Sequence, residues 1–165
     1  MRNNKGFTLI ELVVVIAVMA VITTVSTYVV GMVSKQKLKD FTNDLDAMLC
    51  QCKIETMSGM PQPTLELSLV DGVYQATLYK NSFSYSKKAV KTQTLGNTSL
   101  KVTYMENGME RELREGRKVS FQYDRVTGEL INTAITKVTA SDNTGSYAIE
   151  FVPKTGFHEV IRADD

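Results

Sequence analysis

Apolar residues are concentrated near the start of the chain. From Leu12 to Ile22 the sequence reads LVVVIAVMAVI without a polar residue, and from Phe7 to Val33 the only charged residue is Glu11. Built as a helix, this segment extends about 40 Å, whereas the hydrocarbon core of a bilayer is about 30 Å thick. The pattern therefore predicts a transmembrane helix over 7–33.

The helical period continues after Val33, now among charged residues. Apolar residues recur at three- and four-residue steps, at Leu38, Phe41, Leu45, Met48, Leu49 and Cys52. This spacing predicts an amphipathic helix over 34–58 that ends at Ser58-Gly59, before two prolines. We expect its apolar stripe to pack on the protein's own sheet, with a partner helix as the alternative.

From Thr64 onward the apolar period changes from helical to two, which is typical of strands. Turn residues separate the alternating runs, most clearly at Asp71-Gly72 and Asn107-Gly108, a pairing that favours hairpins. The predicted strands are Thr64–Leu69, Val73–Tyr79, Leu100–Tyr104, Met109–Leu113, Val119–Tyr123 and Tyr147–Phe151. The predicted fold class is α+β: a long N-terminal helix, half transmembrane and half amphipathic, packed on an antiparallel head over 34–165, of which 64–165 is β-rich.

The charged residues that flank the apolar segment indicate on which side of the membrane the head lies. Arg2 and Lys5 precede the apolar segment, and positive flanks tend to stay in the cytoplasm, so 34–165 should lie outside it. The formal net charge of the 165 residues is +1, and basic and acidic residues are equal in number beyond Val33. Nothing in this balance indicates nucleic acid or anionic lipid as a partner of the head.

An ordinary cleaved secretory signal fits the N-terminus less well than a retained anchor. Such a signal needs a small-residue cleavage site after its apolar region, but TTVSTYVVGMV follows here. A plain anchor in turn does not explain Glu11, because a carboxylate at the centre of a spanning helix costs about 2.5 to 3.5 kcal/mol. Glu11 is either a tolerated interfacial charge or faces a positive group.

The segment KGFTLIELVVVIAVMAVI, Lys5 to Ile22, resembles the class III signal of type IV prepilins and type II secretion pseudopilins. The resemblance implies that 1–6 is a leader, which a prepilin peptidase removes by cutting between Gly6 and Phe7. It also implies that Phe7 is then N-methylated. Glu11 would meet the N-terminal amine of a neighbouring subunit and so set the register of the assembly.

Two later segments, VSFQYDRVTGEL and YAIEFVPKTGFHEV, are similar to the heads of H-type minor pseudopilins and related minor pilins. This implies a minor subunit of a type IV pilus or of a type II secretion pseudopilus. Its partners would be the prepilin peptidase, other pilin or pseudopilin subunits and membrane lipid. It would be a single-pass protein of the cytoplasmic membrane with its head outside, also at the cell surface when incorporated in a filament.

Two other functions remain as alternatives: a membrane-anchored binding module that never polymerises, and a DNA-uptake pilin. The basic clusters Lys87, Lys88 and Lys91, and Arg111, Arg114, Arg117 and Lys118, could contact phosphate. Because acidic residues interleave the second cluster, a solvated charged face is favoured over nucleic-acid binding.

The sequence indicates no enzyme, and we predict no catalytic residue, cofactor, small-molecule ligand or metal site. Cys50 and Cys52 lie two apart on a predicted helix, too poorly placed for a mutual disulfide, and are expected to be reduced. His158 is expected to be an exposed edge-strand residue. These three residues supply too few ligands for a metal. The turn at Asp142 is expected to be a plain turn, not a calcium loop.

Overall fold

The structure is a computed structural model that describes residues 9–59, 62–81 and 87–163, without the side chains of 24–34 and of residue 81. The chain divides into two compact units, Met1–Ser34 and Lys35–Asp165. In chain order, the elements are α1 Leu9–Met57, β1 Pro63–Val70, β2 Val73–Asn81, β3 Lys87–Asn97, β4 Lys101–Glu106, β5 Met109–Glu112, β6 Lys118–Phe121, β7 Ile135–Asp142, β8 Gly145–Val152 and β9 Phe157–Arg162.

Helix α1 ends where the sequence predicts. Its last turn is closed by a hydrogen bond from the Ser58 N–H to the carbonyl of Ile54, 2.9 Å long. Gly59 follows with a φ of +92°, the left-handed conformation in which a glycine commonly terminates a helix.

The strands of the head form two antiparallel sheets, one with the order β3-β2-β1-β6 and the other with the order β5-β4-β7-β8-β9. Two tight hairpins join β1 to β2 and β4 to β5. Their central residues, Asp71-Gly72 and Asn107-Gly108, all have positive φ, as two-residue hairpin turns of the type I′ class require. The α+β class and both predicted hairpins are confirmed.

The apolar stripe of α1 packs on the protein's own sheets, as expected. Its side chains are at most 1% exposed, at Leu38, Phe41, Leu45, Met48, Leu49 and Cys52. They join one core cluster with inward residues of both sheets, such as Leu65 of β1 and Ile149 of β8. Burial raises the pKa of Cys52 to about 12, so this thiol remains protonated and serves as a packing group.

Candidate assembly surface

The first part of α1 presents an uncovered apolar surface. Between residues 9 and 22 the only polar side chain is Glu11. The large apolar side chains here are each between 51% and 82% exposed, at Leu9, Ile10, Leu12, Val13, Val14, Val15, Ile16, Val18, Met19, Val21 and Ile22. Soluble monomers seldom expose contiguous apolar patches of this size, because covering them is strongly favourable. We call these residues the apolar segment.

Glu11 lies in the first turn of α1 and is exposed. A carboxylate in this position interacts favourably with the positive end of the helix dipole, which carries about half an elementary charge. Its neighbours along the apolar segment, Ile10 and Leu12, are 70% and 58% exposed. A charge so placed becomes costly when the surrounding surface is covered, unless the covering group matches it.

Other predictions about the N-terminus fall partly or wholly outside the described residues. Gly6 and Phe7, the predicted cleavage and methylation positions, are not described. The predicted transmembrane helix over 7–33 extends beyond the described side chains at both ends. Within the part of the chain that the structure describes, no helix combines the length and hydropathy needed to cross a membrane.

The basic clusters of the head are largely occupied by carboxylates. Lys87 and Lys118 both reach Glu66, with Nζ to carboxylate oxygen distances of 2.7 and 3.2 Å. Burial raises the pKa of Glu66, but the hydrogen bonds and positive charges of the two lysines outweigh it, so the pKa lies below its usual range. Arg111 and Arg114 pair with Glu106 and Glu112. This pairing supports the prediction of a solvated charged face.

His158 is not the exposed residue that we expected. It lies on β9, which is an edge strand, but its side chain is only 5% exposed because it packs against α1. Its Nε2 lies 3.3 Å from Oδ1 of Asp46 and 3.6 Å from Sγ of Cys50. Both cysteines are free thiols, Cys52 buried and Cys50 exposed.

From the sequence, Cys50 and His158 were considered as ligands but Asp46 was not, and the sequence could not show that Cys50 meets a residue 108 positions away. Only the four-residue spacing of Asp46 and Cys50, which places both on one helix face, was visible in the sequence.

The turn at Asp142 is held by its own side chain. Oδ1 of Asp142 accepts hydrogen bonds from the backbone N–H and the hydroxyl of Thr144, at 2.7 and 2.6 Å. Local bonds of this kind are typical of turns that begin with aspartate. The carboxylate of Asp142 therefore has a structural role in this turn.

Two comparisons with known proteins bear on this architecture. The family model of the prokaryotic N-terminal methylation motif matches residues 1–27. The fold is similar to the crystal structure of the type IV minor pilin FimU of Pseudomonas aeruginosa, with a TM-score of 0.54 and 15% sequence identity. That similarity covers 80% of this chain and 93% of FimU. No curated protein sequence matches the chain.

These findings confirm the general resemblance to type IV pilins that was inferred from the sequence. The chain resembles type IV pilins in two respects: residues 1–27 match the methylation motif, and the fold is similar to that of a type IV minor pilin.

Proposed function

We propose that this type IV pilin-like protein is a minor subunit that is inserted in the cytoplasmic membrane through 7–33 and assembled with other pilins into a filament. The head, 34–165, would lie outside the cytoplasm. Before assembly, a prepilin peptidase would remove 1–6 by cutting after Gly6, and Phe7 would be N-methylated. The role is structural, and no substrate or cofactor takes part in it.

The observation that carries this proposal is the exposure of the apolar segment, residues 9–22, which lies within the region that matches the methylation motif. Eleven large apolar side chains there are at least half exposed, and covering them would contribute on the order of 10 kcal/mol. A lipid bilayer can cover such a surface before assembly. The equivalent segments of neighbouring subunits can cover it afterwards, so the same residues serve both states.

Glu11 would give this otherwise uniform surface a register. Cleavage after Gly6 would create an α-amino group on Phe7, four residues and about one helical turn before Glu11. When the apolar segments pack together, the carboxylate of Glu11 would lie next to the N-terminal amine of a neighbouring subunit. Packings that leave either charge in apolar surroundings would be penalised, which favours a single axial offset between subunits.

Substitution of Glu11 tests this role. We expect Glu11→Leu to leave membrane insertion intact, because the segment becomes more apolar, and to leave cleavage after Gly6 unchanged. Photocrosslinks from the apolar segment to other pilins should be lost. Val14→Leu is the matched control, since it changes an exposed apolar side chain of the same segment and retains the carboxylate; it should crosslink normally. A Glu11→Leu protein that crosslinks as well as the wild type would contradict the assembly role.

The kind of filament is the finer part of the proposal. The fold similarity to a minor pilin supports a minor subunit, and the segments VSFQYDRVTGEL and YAIEFVPKTGFHEV favour the H-type pseudopilins of type II secretion or the related minor pilins. Deletion of the gene should therefore abolish secretion of exoproteins or formation of pili. A defect confined to DNA uptake would instead indicate the DNA-uptake alternative.

A further inference from the structure

Three potential metal ligands converge between α1 and β9 of the head. Among the described residues, Asp46, Cys50 and His158 form the one group of three such side chains whose ligand atoms all lie within 4.8 Å of one another. Asp46 and Cys50 are one helical turn apart on α1, so both point from the same face of the helix. We call these residues the Asp46–Cys50–His158 cluster, and from its geometry we infer that it is a binding site for Zn²⁺ or a chemically similar transition metal ion.

The distances within the cluster suit a tetrahedral ion. Nε2 of His158 lies 3.6 Å from Sγ of Cys50 and 3.3 Å from Oδ1 of Asp46. An ion with bonds of about 2.3 Å to sulfur and about 2.0 to 2.2 Å to nitrogen and oxygen holds its ligand atoms about 3.3 to 3.6 Å apart in tetrahedral geometry. Both distances from Nε2 therefore already suit a metal ion, and all three ligand atoms lie within 4.8 Å of one another.

The donor set points to the same class of metal. Imidazole nitrogen, thiolate sulfur and carboxylate oxygen are the three ligand types that Zn²⁺ takes in proteins, whereas calcium and magnesium prefer oxygen alone. Three protein ligands leave a fourth position for water. Asp46 provides an entry path from solvent, because its side chain is 36% exposed while that of His158 is 5% exposed.

The contacts of the His158 ring show which of its nitrogens faces the cluster. Nδ1 of His158 and the hydroxyl of Tyr123 have no hydrogen-bond partner in the described part of the chain. The imidazole thus makes its polar contacts through Nε2 alone. Nε2 is therefore the nitrogen that would bind the ion, with the ring proton on Nδ1.

A metal here would fasten α1 to the last hairpin. The same region is already joined by Lys53 of α1, whose Nζ donates to the backbone carbonyls of Thr155 and Gly156 at 3.2 and 3.0 Å. The imidazole of His158 also packs on Phe151 of β8, with ring centroids 5.9 Å apart. A bound ion would add a further link between α1 and this hairpin and stabilise the folded head by mass action.

The test is Zn²⁺ binding to the full chain in detergent, measured by competition with a chromophoric chelator after all metal has been removed. We expect one equivalent to bind and the thermal unfolding midpoint to rise with Zn²⁺ concentration. Cys50→Ser should lower the affinity at least about 10- to 100-fold. Loss of a residue that only hydrogen-bonds to a metal ligand already has an effect of this size, and Cys50 would be a ligand itself. His158→Phe should have the same effect while retaining the ring contact with Phe151.

Cys52→Ala is the matched control. Cys52 is also a thiol on α1, but it is buried in the core two residues from Cys50, so this variant should bind Zn²⁺ as the wild type does. Equal Zn²⁺ affinities for wild type, Cys50→Ser and His158→Phe would overturn the assignment. It would also be overturned if Cys52→Ala lost as much Zn²⁺ affinity as Cys50→Ser. Binding of Co²⁺ by the wild type provides a readout that needs no variant. A thiolate-to-cobalt absorption band supports the site, and its absence at saturating Co²⁺ overturns it.

Discussion

Gly156 lies so close to the carbonyl group of Gly128 that a Cβ atom on Gly156 would overlap the carbonyl oxygen. The two glycines belong to different turns, one after β6 and one between β8 and β9, and each has a positive φ, +72° and +59°. At the same place Nζ of Lys53, on α1, donates a hydrogen bond to the carbonyl of Gly156, 3.0 Å long.

Gly156→Ala should therefore destabilise the head strongly. The left-handed φ costs an alanine about 1 to 2 kcal/mol, and the overlap with Gly128 adds about 1 to 3 kcal/mol. Gly108→Ala is the matched control, since Gly108 has a φ of +76° and nothing within 4 Å of the position of a Cβ. Urea unfolding followed by circular dichroism should give a larger loss for Gly156→Ala. Equal losses in the two variants would contradict the close approach of the turns.

Glu66 should contribute to stability in a pH-dependent way. Its pKa in the folded protein is lowered by Lys87 and Lys118 against the effect of burial, so its contribution is complete above the unfolded-state pKa of about 4.3. As the pH falls through the folded-state pKa, that contribution is lost. Glu66→Gln should cost roughly 2 kcal/mol at pH 7, the typical value of hydrogen bonds to a charged group.

The free energy difference between wild type and Glu66→Gln should shrink below about pH 4.3. The control is Glu112→Gln, because Glu112 pairs with Arg114 at the surface, where its side chain is 37% exposed and ion pairs contribute little. A Glu66→Gln protein as stable as the wild type at pH 7 would show that the paired lysines do not stabilise this carboxylate.

A chain consisting of 34–165 should be soluble and monomeric without detergent. It lacks the apolar segment but retains the amphipathic part of α1 and the core cluster, which belong to the unit Lys35–Asp165. Circular dichroism should report a mixture of helix and sheet, and gel filtration should report one copy. Aggregation or a disordered spectrum would indicate that the head requires the N-terminal segment to fold.

The sequence predicts most of the head because its helix and most of its strands follow regular apolar periods. Strand β3 was not predicted because all but a few of its residues are exposed, so no alternation with a buried face exists to detect. Strand β7 was not predicted because its buried residues Ile135 and Val138 are three positions apart, at the place where its pairing with β4 shifts register. An irregularity of this kind breaks the two-residue period.

Long-range side-chain contacts were beyond sequence reasoning for a different reason. The sequence supplied Asp46, Cys50 and His158 but not the approach of β9 to α1 that brings them together. The burial of His158 follows from that approach and could not be predicted from its neighbours. The N-terminal motif, by contrast, is local and was recognisable from consecutive residues.

The most direct test of the proposed function is the mass of the intact protein extracted from membranes of cells that contain a prepilin peptidase. We predict a chain that begins at Phe7, lacks residues 1–6 and carries one methyl group on the Phe7 amine, located by fragmentation. The same protein from cells without the peptidase should begin before Gly6. A mature chain that begins after Ile22, or one that retains 1–6 when the peptidase is present, would contradict the account.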